Sequence, residues 1–171
     1  ELCNRYGILL IADEVLCGMG RTGRMFACEH FDLVPDILVL GKGLNAGTLP
    51  LSAIVARRPL VEILAAGSGG FNHAQTYSHH PALCAAGLAT LRHIRENDVL
   101  GNVEAMSERF TGRLREMQAE HSFIGDVRGK GLLLAFELVA DRGTMEPLPV
   151  KLNAHLRLVD IAYERGLIIY S

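Results

Sequence analysis

The sequence predicts an α/β fold built on a mixed, mostly parallel sheet with helices. Two runs carry the prediction, Ile8-Leu9-Leu10-Ile11-Ala12 and Ile37-Leu38-Val39-Leu40. Both are continuous and aliphatic, as strands covered on both faces are. Each is followed by an ionisable residue: Asp13 closes the first run, and Lys42 follows the second after Gly41. Open α/β sheets place their sites at the edge where such strands end.

The elements follow in order. Residues 8–13 read as a buried parallel strand ended by charge, and 17–23 as a glycine-rich loop. Residues 24–30 form a short helix, and Pro35-Asp36 opens the strand at 37–40. A loop at 45–50 leads to a strand at 51–56 and a helix at 59–66, with proline in its first turn. Gly67-Ser68-Gly69-Gly70 is a flexible rim. Residues 81–96 show helical spacing of small and apolar residues, and 99–121 form a second, more charged helix. The character then changes. Residues 124–131 precede a strand at 132–138, residues 141–149 are a surface loop, 150–165 an amphipathic helix ended by Gly166, and 167–170 a strand. A large domain over 1–120 and the start of a smaller α+β domain over 121–171 are expected.

Composition excludes several classes. With 171 residues, about half of them apolar, the chain has material for a packed core. A net charge of −2 gives no footprint for nucleic acid or an anionic membrane. No apolar run is long enough to cross a bilayer. Glu1-Leu2-Cys3-Asn4-Arg5 lacks the basic-then-apolar order of a signal peptide. Cys3, Cys17, Cys28 and Cys84 are scattered without a CxxC pair, which fits reduced thiols in a cytoplasmic protein.

The sharper signal is a series of blocks. Asp13-Glu14-Val15, Gly18-Met19-Gly20-Arg21-Thr22-Gly23, Phe26-Ala27-Cys28-Glu29-His30, Pro35-Asp36-Ile37, Gly41-Lys42-Gly43-Leu44 and Pro50-Leu51-Ser52-Ala53 come in that order. Gln75-Thr76-Tyr77-Ser78-His79-His80-Pro81-Ala82 adds a second motif. Together they resemble the class III, omega-amino-acid type aminotransferases, which have the type I fold of pyridoxal phosphate (PLP) enzymes. The resemblance runs over nearly the whole chain and is densest from residue 8 to 86. Members of that family continue in both directions, so the chain is expected to be an internal fragment. Its opening reads as the tail of a helix stopped at Tyr6-Gly7.

The resemblance implies pyridoxal 5'-phosphate as cofactor and assigns roles residue by residue. Lys42 is the Schiff-base lysine and the base that moves the substrate proton. Its residue-level alternative is a solvated loop lysine, but flanking glycines let a cofactor approach the backbone. Asp13 is the carboxylate that pairs with the pyridinium nitrogen, or else a capping Asp. Val15 packs on one ring face, or is plain core. Thr76 binds the cofactor phosphate from the neighbouring subunit, or makes a local turn bond. A homodimer with a shared site follows from that role. Arg21 is expected in a structural ion pair with an acidic loop partner, with Glu14 in such a structural role. Arg128 is open between the domain boundary and the substrate entrance. His73, His79 and His80 cluster without a carboxylate or cysteine at ligand spacing, so no metal site is expected.

Three departures blur the subfamily. Leu16 stands where some relatives carry Gln, Asn45-Ala46-Gly47-Thr48 replaces a glycine-rich run, and His79 stands where many have Gly. The expected activity is transfer of an amino group from an amino acid or amine to an oxo acid or aldehyde by a ping-pong mechanism. The alternatives are an aminomutase, decarboxylase or racemase on the same fold, and a non-catalytic fragment or pseudoenzyme. A nucleotide-binding protein is set aside because Lys42 lacks the G-x-x-x-x-G-K-[ST] frame.

Overall fold

The computed structural model describes all residues, 1–171, and divides into two compact units, Glu1–Ala105 and Met106–Ser171. In the first unit a short helix α1 (Leu2–Tyr6) ends at Gly7, which takes the left-handed conformation of a helix stop. Strand β1 (Ile11–Asp13) pairs parallel with β2 (Ile37–Leu40), and β2 pairs antiparallel with β3 (Ala53–Ala56). The sheet order is β1-β2-β3. Helices α2 (Arg58–Ala66) and α3 (Pro81–Glu96) form where the sequence predicts them, and both carry proline in the first turn. Helix α4 (Val99–Glu120) contains the division between the two units.

Three elements are shorter than expected, and the strand at 51–56 forms only over β3. The 8–13 run pairs as a strand only over β1, and Ile8, Leu9 and Ile11 are exposed. The reason is position: β1 is an edge strand, so one flank has no ladder partner. Its lead-in is held by a side chain instead. Asp36 Oδ2 accepts the Leu10 amide at 2.9 Å, its Oδ1 pairs with Arg57 Nη1 at 3.2 Å, and its own amide donates to the Leu10 carbonyl. The expected helix over 24–30 is a 3-10 turn at Ala27–Phe31. The core of the unit gathers Met19, Cys28, Leu38, Leu40, Leu44 and Ile94.

Asp36 therefore clamps the starts of β1 and β2 to the end of the antiparallel β3, and its carboxyl lies below the ordinary range. The Leu10 amide is the main cause and Arg57 the next. A depressed folded-state pKa contributes stability above the unfolded value, about 3.9. That contribution is lost as pH falls through the lower folded value. Asp36→Asn is expected to lower the melting temperature at neutral pH and to narrow its gap to wild type below about pH 4. Melting curves from neutral to acid pH check this, and a gap that stays constant with pH would count against the clamp.

In the second unit β4 (Ile124–Lys130) and β5 (Leu133–Asp141) form an antiparallel hairpin, and β5 pairs with the two-residue β6 (Glu146–Pro147). Residues 124–131 were expected to lead into a strand and are one. A register shift between Ile124 and Val127 breaks the alternation that would have marked it. The 150–165 helix begins late, as α5 (Ala154–Glu164), because Asn153 sits at φ 45° after a 3-10 turn. No strand forms at 167–170; Ile168 and Tyr170 are exposed with no partner to pair with. Arg142 donates to the carbonyls of Ile124, Gln118 and His121, so it caps the end of α4.

Candidate active site

The parallel register sets the site. Asp13, the last residue of β1, lies opposite Val39, and the Glu14 amide extends the pairing by donating to the Val39 carbonyl at 2.9 Å. The chain then turns at both strand ends. After β1, Gly18 donates to the Glu14 carbonyl at 3.0 Å, and a Cβ on Gly18 would come within 2.7 Å of that oxygen. After β2, a 3-10 turn spans Lys42–Asn45, closed by the Leu44 amide on the Gly41 carbonyl at 2.8 Å.

The two turns touch. A Cβ on Gly41 would lie 3.3 Å from Val15 Cγ1, and one on Gly43 would lie 3.0 Å from Met19 Cβ. The glycines flanking Lys42 thus let the β1 turn pack directly on the lysine turn. Helix α3 covers the turn from another side. At Gly87 a Cβ would fall 2.7 Å from Leu51 Cδ2 and 3.6 Å from the Leu44 carbonyl oxygen. Lys42 itself is exposed and sits at φ 37°, in the left-handed region. That conformation costs a non-glycine residue on the order of 1 kcal/mol and persists where the surroundings fix it.

Asp13, Val15 and Lys42 are therefore brought to one strand-end edge. Asp13 is exposed, and its Oδ1 accepts the Val15 amide at 3.0 Å. Val15 is half-buried against Gly41. Thr76 is not joined to them by any hydrogen bond. It is exposed in the 76–79 turn, next to Gln75, whose amide donates to Ser78 Oγ at 2.9 Å.

Glu14 is a functional candidate whose role the sequence did not reveal. It is only 3% exposed. Its Oε1 accepts the Cys28 amide at 2.8 Å, and its Oε2 accepts the Ala27 amide at 2.9 Å and the Cys17 thiol at 3.1 Å. Burial pushes its pKa up, but these bonds outweigh burial and hold the carboxyl below its ordinary value. Burial and the facing carboxylate push the Cys17 thiol up to about 11, which leaves it unreactive as a nucleophile at neutral pH. The expected ion pair does not form. Glu14 bonds to amides and a thiol, and Arg21 is exposed without an acidic partner. Arg128 pairs with Asp126 at 2.9 Å and with Glu137 at 2.6 Å on the β4–β5 hairpin.

A separate cavity lies away from this edge. An open groove of about 1010 Å³ runs between β3 and α3, with Ile54, Tyr77, His80, Leu83 and Leu88 among its walls. Asp13, Val15, Lys42 and Thr76 do not line it. No group of three His, Cys, Asp or Glu side chains is placed to hold a metal ion. No helix is long and apolar enough to cross a membrane.

Comparison with known proteins covers the whole chain. Residues 1–171 match the model of the family described as aminotransferase class-III. The chain is 43% identical over 170 residues to the uncharacterized aminotransferase YodT of Bacillus subtilis, covering 99% of this chain and 38% of that protein. Among solved structures, a transaminase from the marine bacterium Virgibacillus superposes with a TM-score of 0.95 at 36% identity, over 99% of this chain and 39% of that one. The taurine:2-oxoglutarate aminotransferase of Bifidobacterium kashiwanohense, solved with PLP and glutamate, superposes with a TM-score of 0.92 at 31% identity, over 99% and 38%. The chain thus spans under two-fifths of the length of these relatives, and it shares their fold.

Proposed function

The chain belongs to the class-III aminotransferase family, a family of PLP-dependent enzymes with the type I fold, and from that premise we propose that it supplies the lysine edge of a transaminase site. The reaction moves an amino group from an amino acid or amine to an oxo acid or aldehyde. The donor's amine is exchanged for the acceptor's carbonyl oxygen, so no external oxidant is needed. A ping-pong order follows, because one product leaves before the acceptor enters.

One observation carries the reading. The parallel β1–β2 register and the Val15–Gly41 contact put a carboxylate, an aliphatic side chain and an amine on one open edge. That set fits pyridoxal 5'-phosphate. Asp13 would pair with the ring nitrogen, Val15 would lie on a ring face, and Lys42 Nζ would hold the aldehyde carbon as the Schiff-base lysine. When bound, the cofactor supplies an electron sink for the carbon that loses its proton. Lys42 Nζ would accept and return that proton, and its glycine neighbours leave room for the cofactor to approach. Thr76 would donate its hydroxyl to the phosphate of the neighbouring subunit's cofactor. On this reading the enzyme is a cytoplasmic homodimer, with residues 1–120 in its large domain and 121–171 opening the small one. No nucleic acid or membrane partner enters the scheme, and no metal.

The test is borohydride trapping with peptide mass mapping on the protein made from its complete gene, supplied with PLP. A pyridoxyl adduct on Lys42 is expected. A folded protein that saturates with PLP yet carries no adduct at Lys42 would sink the assignment. Dependence of turnover on an oxo acceptor then separates transamination from isomerisation or decarboxylation on the same fold.

A further inference from the structure

We infer that Glu14 is a positioning residue for the cofactor edge: it fixes the turn that carries Asp13 on one side and Val15 on the other. The inference rests on the role proposed above for Asp13. Glu14 is tied at three points to three places. Its amide donates to the Val39 carbonyl, its carbonyl accepts the Gly18 amide, and its side chain accepts the Ala27 and Cys28 amides and the Cys17 thiol. The Asp13 side chain has no comparable support. Its carboxylate bonds only within its own turn, to the Val15 amide. The direction of Asp13 is therefore inherited from the turn's backbone, and the side chain that ties this turn to the 27–28 segment is Glu14.

The chemistry explains why a carboxylate occupies a core position. A buried charge is costly unless several donors face it. Here two backbone amides and a thiol do so, with no cation among them. An aliphatic residue would fill the space but leave the Ala27 and Cys28 amides without their acceptor. Gln could offer its one carbonyl oxygen to the amides but would turn an N–H₂ group toward a donor.

The experiment is a double-mutant cycle on PLP affinity, read by absorbance titration of the apoprotein made from the complete gene, with the apo melting temperature measured alongside. Asp13→Asn alone is expected to weaken PLP binding about tenfold or more, the scale of a lost charge-assisted bond. Glu14→Gln is expected to weaken it by a similar factor. If Glu14 acts through Asp13, the double variant binds PLP within about twofold of Asp13→Asn alone. Full multiplication of the two losses, or a lowered melting temperature with unchanged PLP affinity, would overturn the inference and leave Glu14 a stabilising residue only. An Asp13→Asn variant that binds PLP as wild type does would overturn the Asp13 role itself, a separable failure. Should Glu14→Gln not yield folded protein, Cys17→Ala removes one of the three donors and retains the charge. The same cycle then expects a loss of severalfold that vanishes in the Asp13→Asn background.

Discussion

Lys42→Ala is expected to lower transaminase turnover of the protein made from its complete gene by at least about 10³-fold, with its melting temperature nearly unchanged. Two contributions vanish together: the covalent hold on the cofactor's aldehyde carbon and the general base that moves the proton. A positioned base alone is worth about 10²–10⁴ in rate. The fold is spared for structural reasons. Lys42 is exposed and makes no side-chain hydrogen bond or ion pair. Alanine keeps the Cβ at φ 37°, so the left-handed strain is the same before and after. Loss of activity would therefore report chemistry. Steady-state turnover and a melting curve on the same preparation decide the matter. Retention of more than about a tenth of wild-type turnover would remove Lys42 from the role.

The strand-end residues were legible because each is an ionisable residue at the end of an aliphatic run. Asp13 and Lys42 end two such runs, and the parallel pairing of β1 with β2 brings the ends together. Proline in the first turn marked α2, and the spacing of small and apolar residues marked α3, for equally local reasons. Glu14 was harder to read. Its main partners are the amides of Ala27 and Cys28, and a backbone N–H leaves no trace in the residue type that carries it. Charge pairing suggested Arg21 as a partner, but a ring of dipoles neutralises the carboxylate without a cation. Asp36 looked like the residue that opens a strand, yet it is the acceptor that holds Leu10 and Arg57 across three strands. In the second unit, the bulge between Ile124 and Val127 hid β4, and Asn153 moved the start of α5. Each miss is tertiary context overriding a local pattern.

Gly129→Ala is expected to cost at least about 3 kcal/mol, the scale reserved for substitutions with a defined steric cause. Gly129 lies in β4 opposite Leu134 of β5, at φ 141°, a conformation L side chains rarely adopt. A Cβ there would fall 2.1 Å from the Leu133 carbonyl oxygen and 2.8 Å from Leu134 Cα. Both atoms are backbone, so no rotamer change relieves the clash. Either the hairpin opens beside the Arg128 ion pairs or the register slips, and a slip by one residue would turn every side chain of the strand over. Gly112 supplies the control. It is exposed in α4, its φ is ordinary, and a Cβ there meets nothing within 4 Å. Gly112→Ala should stabilise by about 0.5–1 kcal/mol through helix propensity and a less free unfolded chain. Denaturant unfolding of both variants of the protein made from its complete gene checks the contrast. A Gly129→Ala protein as stable as wild type would mean that the β4–β5 turn can move its backbone by more than 1 Å without losing the hairpin, since ordinary Cβ contacts begin about 3.4 Å apart.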